Sequence, residues 1–166
     1  YIEDVIKRIE DTPAKFASLV GRYYSMDRDK RWERIKQGYD LMVHGKGKKS
    51  RDILKAIEDS YNSGVTDEFI KPVVITDNEE KPIATINEGD VVIAFNFRTD
   101  RLRQMTIALT QQDMPEYEMK TIPLKYLTMT NYDKEFKGIE VIYEKDNVEN
   151  TLGEYLSSSG FKQLRI

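Results

Sequence analysis

The stretch VVIAFNF, residues 91–97, constrains the fold more than any other part of the chain. It is apolar on both faces, the pattern of a strand covered on both sides and therefore central in a sheet. Directly behind it stands RTDRLRQMTIAL, in which Thr99 or Asp100 can cap a helix with Leu102, Met105 and Leu109 inward. The same order occurs earlier. KFASLV (15–20) reads as a short buried strand that Gly21 ends, and an arginine-rich turn then leads into a helix starting near Asp27 or Asp29 and running to His44. Trp32, Ile35, Tyr39, Met42 and Val43 form its apolar stripe, and GKGKK breaks it. Strand, arginine turn and helix in succession, twice, predict an α/β fold, a mixed sheet flanked by helices.

The remaining segments fit that class. Residues 1–10 read as the end of a helix, with Tyr1, Val5, Ile6 and Ile9 on one face, closed by Asp11-Thr12-Pro13. Ser50 is expected to cap a helix through Tyr61, with Ile53, Ala56, Ile57 and Tyr61 inward and Gly64 as its stop. PVVI (72–75) and IATI (83–86) are short strands around TDNEEKP, and LKYLTMTNYD and IEVIYE are further strands. Asn150 or Thr151 starts a short helix with Leu152, Tyr155 and Leu156 inward, Gly160 closes it, and FKQLRI resumes as a strand.

The length of 166 residues suits one domain, long enough to bury about two thirds of the surface its unfolded form exposes. The chain opens on YIEDV without Met and stops at the apolar KQLRI, which reads as a piece of a longer protein. With no cysteine, disulfides, thiol nucleophiles and thiolate metal sites are excluded, and His44 alone is too few for a multi-histidine metal centre. A net charge of −3 argues against broad nucleic-acid affinity, and no run approaches the roughly 18 apolar residues of a membrane helix. The cytoplasm is the expected compartment.

Residues just after a strand are the ones that an open α/β sheet presents to a ligand. Here these are Arg22 and Arg28 after the first strand, and Arg98, Arg101 and Arg103 after VVIAFNF. Brought together, such guanidinium groups repel one another unless an anion lies between them, and their forks match phosphate and carboxylate oxygens. A small, multiply charged anion is the expected ligand. Lys30, Arg31 and Arg34 read instead as an exposed helix face pairing with Asp29 and Glu33. Trp32, Tyr39 and Met42 read as core, His44 as a helix-end residue, and Lys46, Lys48 and Lys49 as a solvated loop.

At these same residues the sequence resembles the metal-dependent, cofactor-independent phosphoglycerate mutase family. GRYYSMDRDKRWER (21–34) is similar to that family's GRYYAMDRDKRWER, with Ser25 in place of Ala, and FNFRTDRLRQMT is similar to its NFRPDRARQ segment, with Thr99 in place of Pro. NTLGEYLSSSGFKQLRI resembles the segment leading back toward the other domain. The resemblance implies a two-domain enzyme. A domain similar to alkaline phosphatases carries a phosphorylated serine and two manganese ions, and an inserted phosphotransferase domain holds the glycerate. Residues 1–160 correspond to the later portion of that inserted domain, and 161–166 to the start of the connection back. The nucleophile, the metal ligands, an earlier His and Asp-Arg pair, and a later Lys have no counterpart here.

Carried over position by position, Arg22, Arg28, Arg98 and Arg101 match residues that bind phosphoglycerate. Asp100 is expected to orient Arg98 and Arg101. Thr99 is expected to leave the turn less rigid while keeping the helix cap; Arg31 and Arg103 are expected to be structural. The implied function is the substrate-holding part of a glycolytic mutase interconverting 3- and 2-phosphoglycerate. The expected partners are that substrate and the phosphatase-like domain of the same protein, without nucleic acid or membrane, in a monomer that is inactive as this piece alone. Two rivals remain at this point: a nucleic-acid-binding module using Arg, Tyr and Trp, and a purely structural piece whose arginines pair with internal acids.

Overall fold

A computed structural model describes residues 1–144 and 149–164. The fold is the expected α/β arrangement of sheet flanked by helices, with the strands divided between two small three-stranded sheets of which the first is mixed. The first has the order β1 (Ser18–Leu19), β3 (Val73–Ile75), β2 (Lys48–Ser50), with β1 antiparallel and β2 parallel to the central β3. The second is all parallel, in the order β4 (Val91–Ala94), β5 (Lys125–Thr128), β6 (Ile139–Val141). The helices are α1 (Ile2–Ile9), α2 (Arg22–Ser25), α3 (Trp32–His44), α4 (Ile53–Asn62), α5 (Arg103–Thr106) and α6 (Leu152–Ser158). A π-helical turn, Ile107–Gln111, continues α5.

Each sheet has its own core. Ile53 and Ala56 of α4 meet Val73 and Ile75 of β3, with Phe16 and Leu19 packed beside them. The larger cluster joins Ile35 and Tyr39 of α3 to Met105, Ala108 and Leu109 of the α5 segment, and to Ala94, Tyr126 and Tyr132. Trp32, Met42 and Val43 pack against it half-buried, so the stripe expected for α3 is present; Leu41, also buried, lies outside that cluster. Gly45 ends α3 in the left-handed conformation at φ 62, as the GKGKK break implied.

Several expectations are corrected. VVIAFNF is not central: β4 lies at the edge of its sheet, with β5 in the middle. Val92 and Ala94 point into the core, while Val91, Ile93, Phe95 and Phe97 stay 64%, 56%, 78% and 58% exposed. The second face is apolar, as read, but nothing among the described residues covers it. α3 begins at Trp32, later than Asp27 or Asp29, because the Asp27 carboxylate draws the N–H groups of Asp29 and Arg31 into a turn.

Lys48 and Lys49 are strand rather than loop. Asp52, not Ser50, caps α4 by accepting from the N–H groups of Leu54 and Lys55. Tyr61 lies outward and donates its hydroxyl hydrogen to Asp67. IATI and residues 161–164 form no strand, and Arg165 and Ile166 of FKQLRI lie outside the described residues. Neither Thr99 nor Asp100 caps a helix, since α5 starts at Arg103 with Leu102 at its cap position. Thr151, one of the two alternatives, does cap α6 in a reciprocal capping box with Glu154, but Leu152 and Tyr155 face outward.

Candidate functional site

The two arginine turns meet. Arg28 Nη1 lies 3.0 Å from Asp100 Oδ2, a contact across 72 residues of sequence. Asp100 also receives Arg98 through Nε at 2.7 Å and Nη2 at 3.2 Å. One carboxylate thus ties the turn after β1 to the turn after β4. The Arg98 guanidinium, and then that of Arg28, hold the Asp100 carboxyl down to about 2. It stays ionised as a clasp at any physiological pH. The expected partner of Asp100 is corrected here: it holds Arg98 and Arg28, and makes no ion pair with Arg101 among the described residues.

Beside this clasp lies an open cavity of about 260 Å³ lined by Arg22, Arg28, Arg31, Arg34 and Arg101 together with Asp27, Asp29 and Glu68. With Arg98 and Asp100 of the adjoining clasp counted, six guanidinium groups stand against four carboxylates and leave two positive charges at one small volume. The structure therefore gathers Arg22, Arg28 and Arg101 around the cavity, while Arg98 adjoins it through Asp100. A larger cavity of about 640 Å³ includes Thr99, Arg103 and Lys134 with Asp133, Glu135 and Glu144. There the carboxylates outnumber the cations, so it repels an anion.

Local chemistry explains each placement. Arg22 opens α2, and its Nη2 is held by Glu68 Oε2 at 2.8 Å. Glu68 reaches it because Gly21 lacks a side chain: a Cβ there would stand 2.2 Å from the Glu68 carbonyl oxygen. Arg28 leaves a turn that Asp27, the residue before it, closes by accepting the N–H groups of Asp29 and Arg31. The Asp27 side chain is only 3% exposed. Burial pushes its pKa up, but hydrogen bonds from the N–H groups of Arg31 and Asp29 and from the Arg31 guanidinium outweigh this, and the net direction is downward. Arg98 is positioned by its own N–H, which donates to Asn96 Oδ1 at 2.8 Å.

The reading of Arg31 and Arg34 is corrected. Arg31 does pair with Asp29, at 2.6 Å, but also with Asp27, at 2.9 Å, and its role is structural as expected. Arg34 faces the cavity rather than solvent, with its guanidinium carbon 3.9 Å from the centre of the Tyr23 ring and 3.7 Å separating it from Asp27. Arg103 is structural as expected, donating from Nε to the Tyr132 carbonyl at 2.9 Å. Glu68 was not foreseen. The antiparallel pairing of β1 with β3 places the segment entering β3 beside the segment leaving β1, and a sequence does not show which strands pair. Arg34 stands in the first turn of α3, six residues from Arg28, and reaches the cavity because α2 packs against α3.

Comparison with known proteins gives the site its context. Residues 1–134 match the family described as BPG-independent PGAM N-terminus. A 2,3-bisphosphoglycerate-independent phosphoglycerate mutase of Flavobacterium psychrophilum is 58% identical over 165 residues, covering 99% of this chain and 33% of its own length. One of Parabacteroides distasonis is 56% identical over 167 residues, covering 100% of this chain and 33% of its own. A solved structure of Leishmania mexicana phosphoglycerate mutase at low cobalt concentration superposes with a TM-score of 0.79 at 28% identity, covering 96% of this chain and 30% of that one. The chain spans about a third of the length of the curated relatives it matches. With both arginine turns inside the matched region, the chain belongs to the 2,3-bisphosphoglycerate-independent phosphoglycerate mutase family.

Proposed function

We propose that this chain is the substrate-holding part of a mutase that interconverts 3-phosphoglycerate and 2-phosphoglycerate, in the cytoplasm and within glycolysis and gluconeogenesis. Residues 1–160 are the later portion of its phosphotransferase domain, and 161–166 begin the return to a phosphatase-like domain. Arg22, Arg28, Arg98 and Arg101 bind the substrate's phosphate and carboxylate, and Asp100 holds Arg28 and Arg98 in register. The observation that carries the reading is the Arg28–Asp100 contact beside a cavity with two uncompensated positive charges. A phosphate monoester brings about −1.5 to −2 at neutral pH, enough to offset that surplus before the carboxylate's charge is counted.

The work of these residues is electrostatic. They neutralise anionic oxygens, orient the glycerate, and retain it while its phosphoryl group resides on a serine of the other domain. They move no proton. The family is metal-dependent, and the reading assigns two manganese ions to the full-length protein. The residues present do not fit that metal pair: among the described residues no group of three or more His, Cys, Asp or Glu is placed to hold a metal ion. No step is therefore assigned to a metal here. Nothing in the comparisons favours a nucleic-acid-binding module.

The test is Arg98→Ala in the full-length mutase, measured by turnover of 3-phosphoglycerate and by metal content. The expected result is a fall of at least a hundredfold in kcat/KM with the manganese content unchanged. Near-parental turnover would overturn the reading.

A further inference from the structure

Asp27 is the only buried carboxylate among those lining the arginine cavity, at 6% exposure. Its two oxygens serve two different sets of donors. Oδ2 accepts the backbone N–H of Asp29 at 2.9 Å and of Arg31 at 3.0 Å. Oδ1 accepts Arg31 Nη1 at 2.9 Å and stands 3.7 Å from Arg34 Nη1. Arg28 lies between Asp27 and Asp29, the first residue that Asp27 ties, and its side chain leaves the turn to meet Asp100 3.0 Å away. Lys30, also within the tied turn, holds a left-handed φ of 58, a conformation that a non-glycine residue adopts only when its surroundings impose it. The turn is therefore a shape that Asp27 enforces rather than one the local sequence prefers.

We propose that Asp27 is a positioning residue that fixes the Asp27–Arg31 turn and thereby aims Arg28 at the substrate. This rests on the reading above that Arg28 binds phosphoglycerate. A carboxylate is required because both oxygens must accept. In asparagine one of the two positions becomes an NH2 group, which sets a donor against either the backbone N–H pair or the guanidinium pair. Glutamate keeps both acceptors and the charge, but its extra methylene displaces them from the turn.

The test is a double-mutant cycle in the full-length mutase, with 3-phosphoglycerate as substrate: parent, Asp27→Asn, Arg28→Ala and the double variant. Asp27→Asn is expected to raise KM at least tenfold with a smaller fall in kcat. In the Arg28→Ala background the same substitution is expected to change KM less than twofold, because its effect runs through Arg28. A general folding defect would lower the active fraction and the unfolding temperature, and leave KM of the folded enzyme in place.

The inference is overturned if Asp27→Asn leaves KM within twofold of the parent, or if the rise is equal in both backgrounds. If Arg28→Ala itself leaves KM at the parental value, the substrate-binding assignment of Arg28 falls, and the inference with it. Asp27→Glu runs the same cycle with the same expectation and serves where Asp27→Asn does not fold. A Glu variant with parental KM also overturns the inference, since charge alone would then suffice.

Discussion

Tyr132→Phe tests how the second arginine turn is fastened. The Tyr132 hydroxyl is buried, 3.0 Å from the Ala94 carbonyl and 2.6 Å from that of Asn96. Ala94 retains a second donor, the N–H of Asn96 at 2.9 Å, so removing the hydroxyl orphans chiefly the Asn96 carbonyl. Asn96 is half-buried, so leaving its carbonyl without this partner costs about 1–2 kcal/mol, in the lower part of the range for a buried acceptor, while the ring keeps its packing and adds no large cavity. For a chain of this length each kcal/mol moves the melting temperature by about 2–4 °C, so a drop of about 2–8 °C is expected in a thermal melt followed by circular dichroism. Tyr155→Phe, at a residue 68% exposed, is the control and should melt with the parent.

The same variant should change the alkaline limb. Burial first, and the neighbouring Tyr126 next, push the Tyr132 hydroxyl up to about 12 from its ordinary value near 10. A group whose neutral form the fold favours contributes stability in full below its unfolded value, and loses it as pH rises from about 10 through about 12. The Phe variant lacks that part of the decline. A Tyr132→Phe melting temperature within about 1 °C of the parent would show that the hydroxyl does not secure the end of β4.

Gly21→Ala should destabilise by more than about 2 kcal/mol in denaturant titrations, since the added Cβ would meet backbone atoms of Glu68 and Ile70 at 2.2–2.7 Å; a neutral outcome would deny the close approach that puts Glu68 beside Arg22. The Asp100 carboxyl should titrate by carbon NMR near the value of about 2 that Arg98 and Arg28 impose, and should move up toward 3.8 in Arg98→Ala. Because the folded value is depressed, the clasp's contribution to stability is present above about 3.8 and is lost as pH falls through about 2. Asp100→Asn should abolish that acid dependence.

Much of the architecture was legible from periodicity. The stripe of α3 from Trp32 to Val43 and the strand PVVI sit where apolar spacing and turn residues put them, while LKYLTMTNYD is strand only over Lys125–Thr128. The failures share a cause. Local pattern reports whether a segment can be buried, not what lies over it, so VVIAFNF was read as central when only Val92 and Ala94 are covered, and Leu152 and Tyr155 were read as inward. Caps were misjudged at Thr99 and Ser50 because a neighbouring residue competes. Asp52 sits closer to the first free N–H groups of α4, and Asp100 is engaged by arginines instead of a helix end.

At the site, residue types at strand ends indicated Arg22, Arg28, Arg98 and Arg101, of which Arg22, Arg28 and Arg101 line the cavity and Arg98 adjoins it through Asp100. Their convergence was a wager on tertiary structure that the Arg28–Asp100 contact satisfies. Arg34 was misread because helical spacing alone put it on a solvated face. Its approach to Tyr23 depends on α2 folding back against α3, which no local window contains.

The uncovered row on β4 has a consequence for handling the chain by itself. Just past the ends of β4 and β6, Phe95, Phe97 and Tyr143 form a contiguous aromatic ridge, with ring centres 6.4 Å and 5.8 Å apart, next to exposed Val91 and Ile93 of β4, whose outer hydrogen-bonding edge has no partner among the described residues. Apolar side chains beside an open backbone edge are a template onto which another extended segment can zip. The separated chain is expected to self-associate more as its concentration rises, and Ile93→Lys would oppose this without touching either arginine turn.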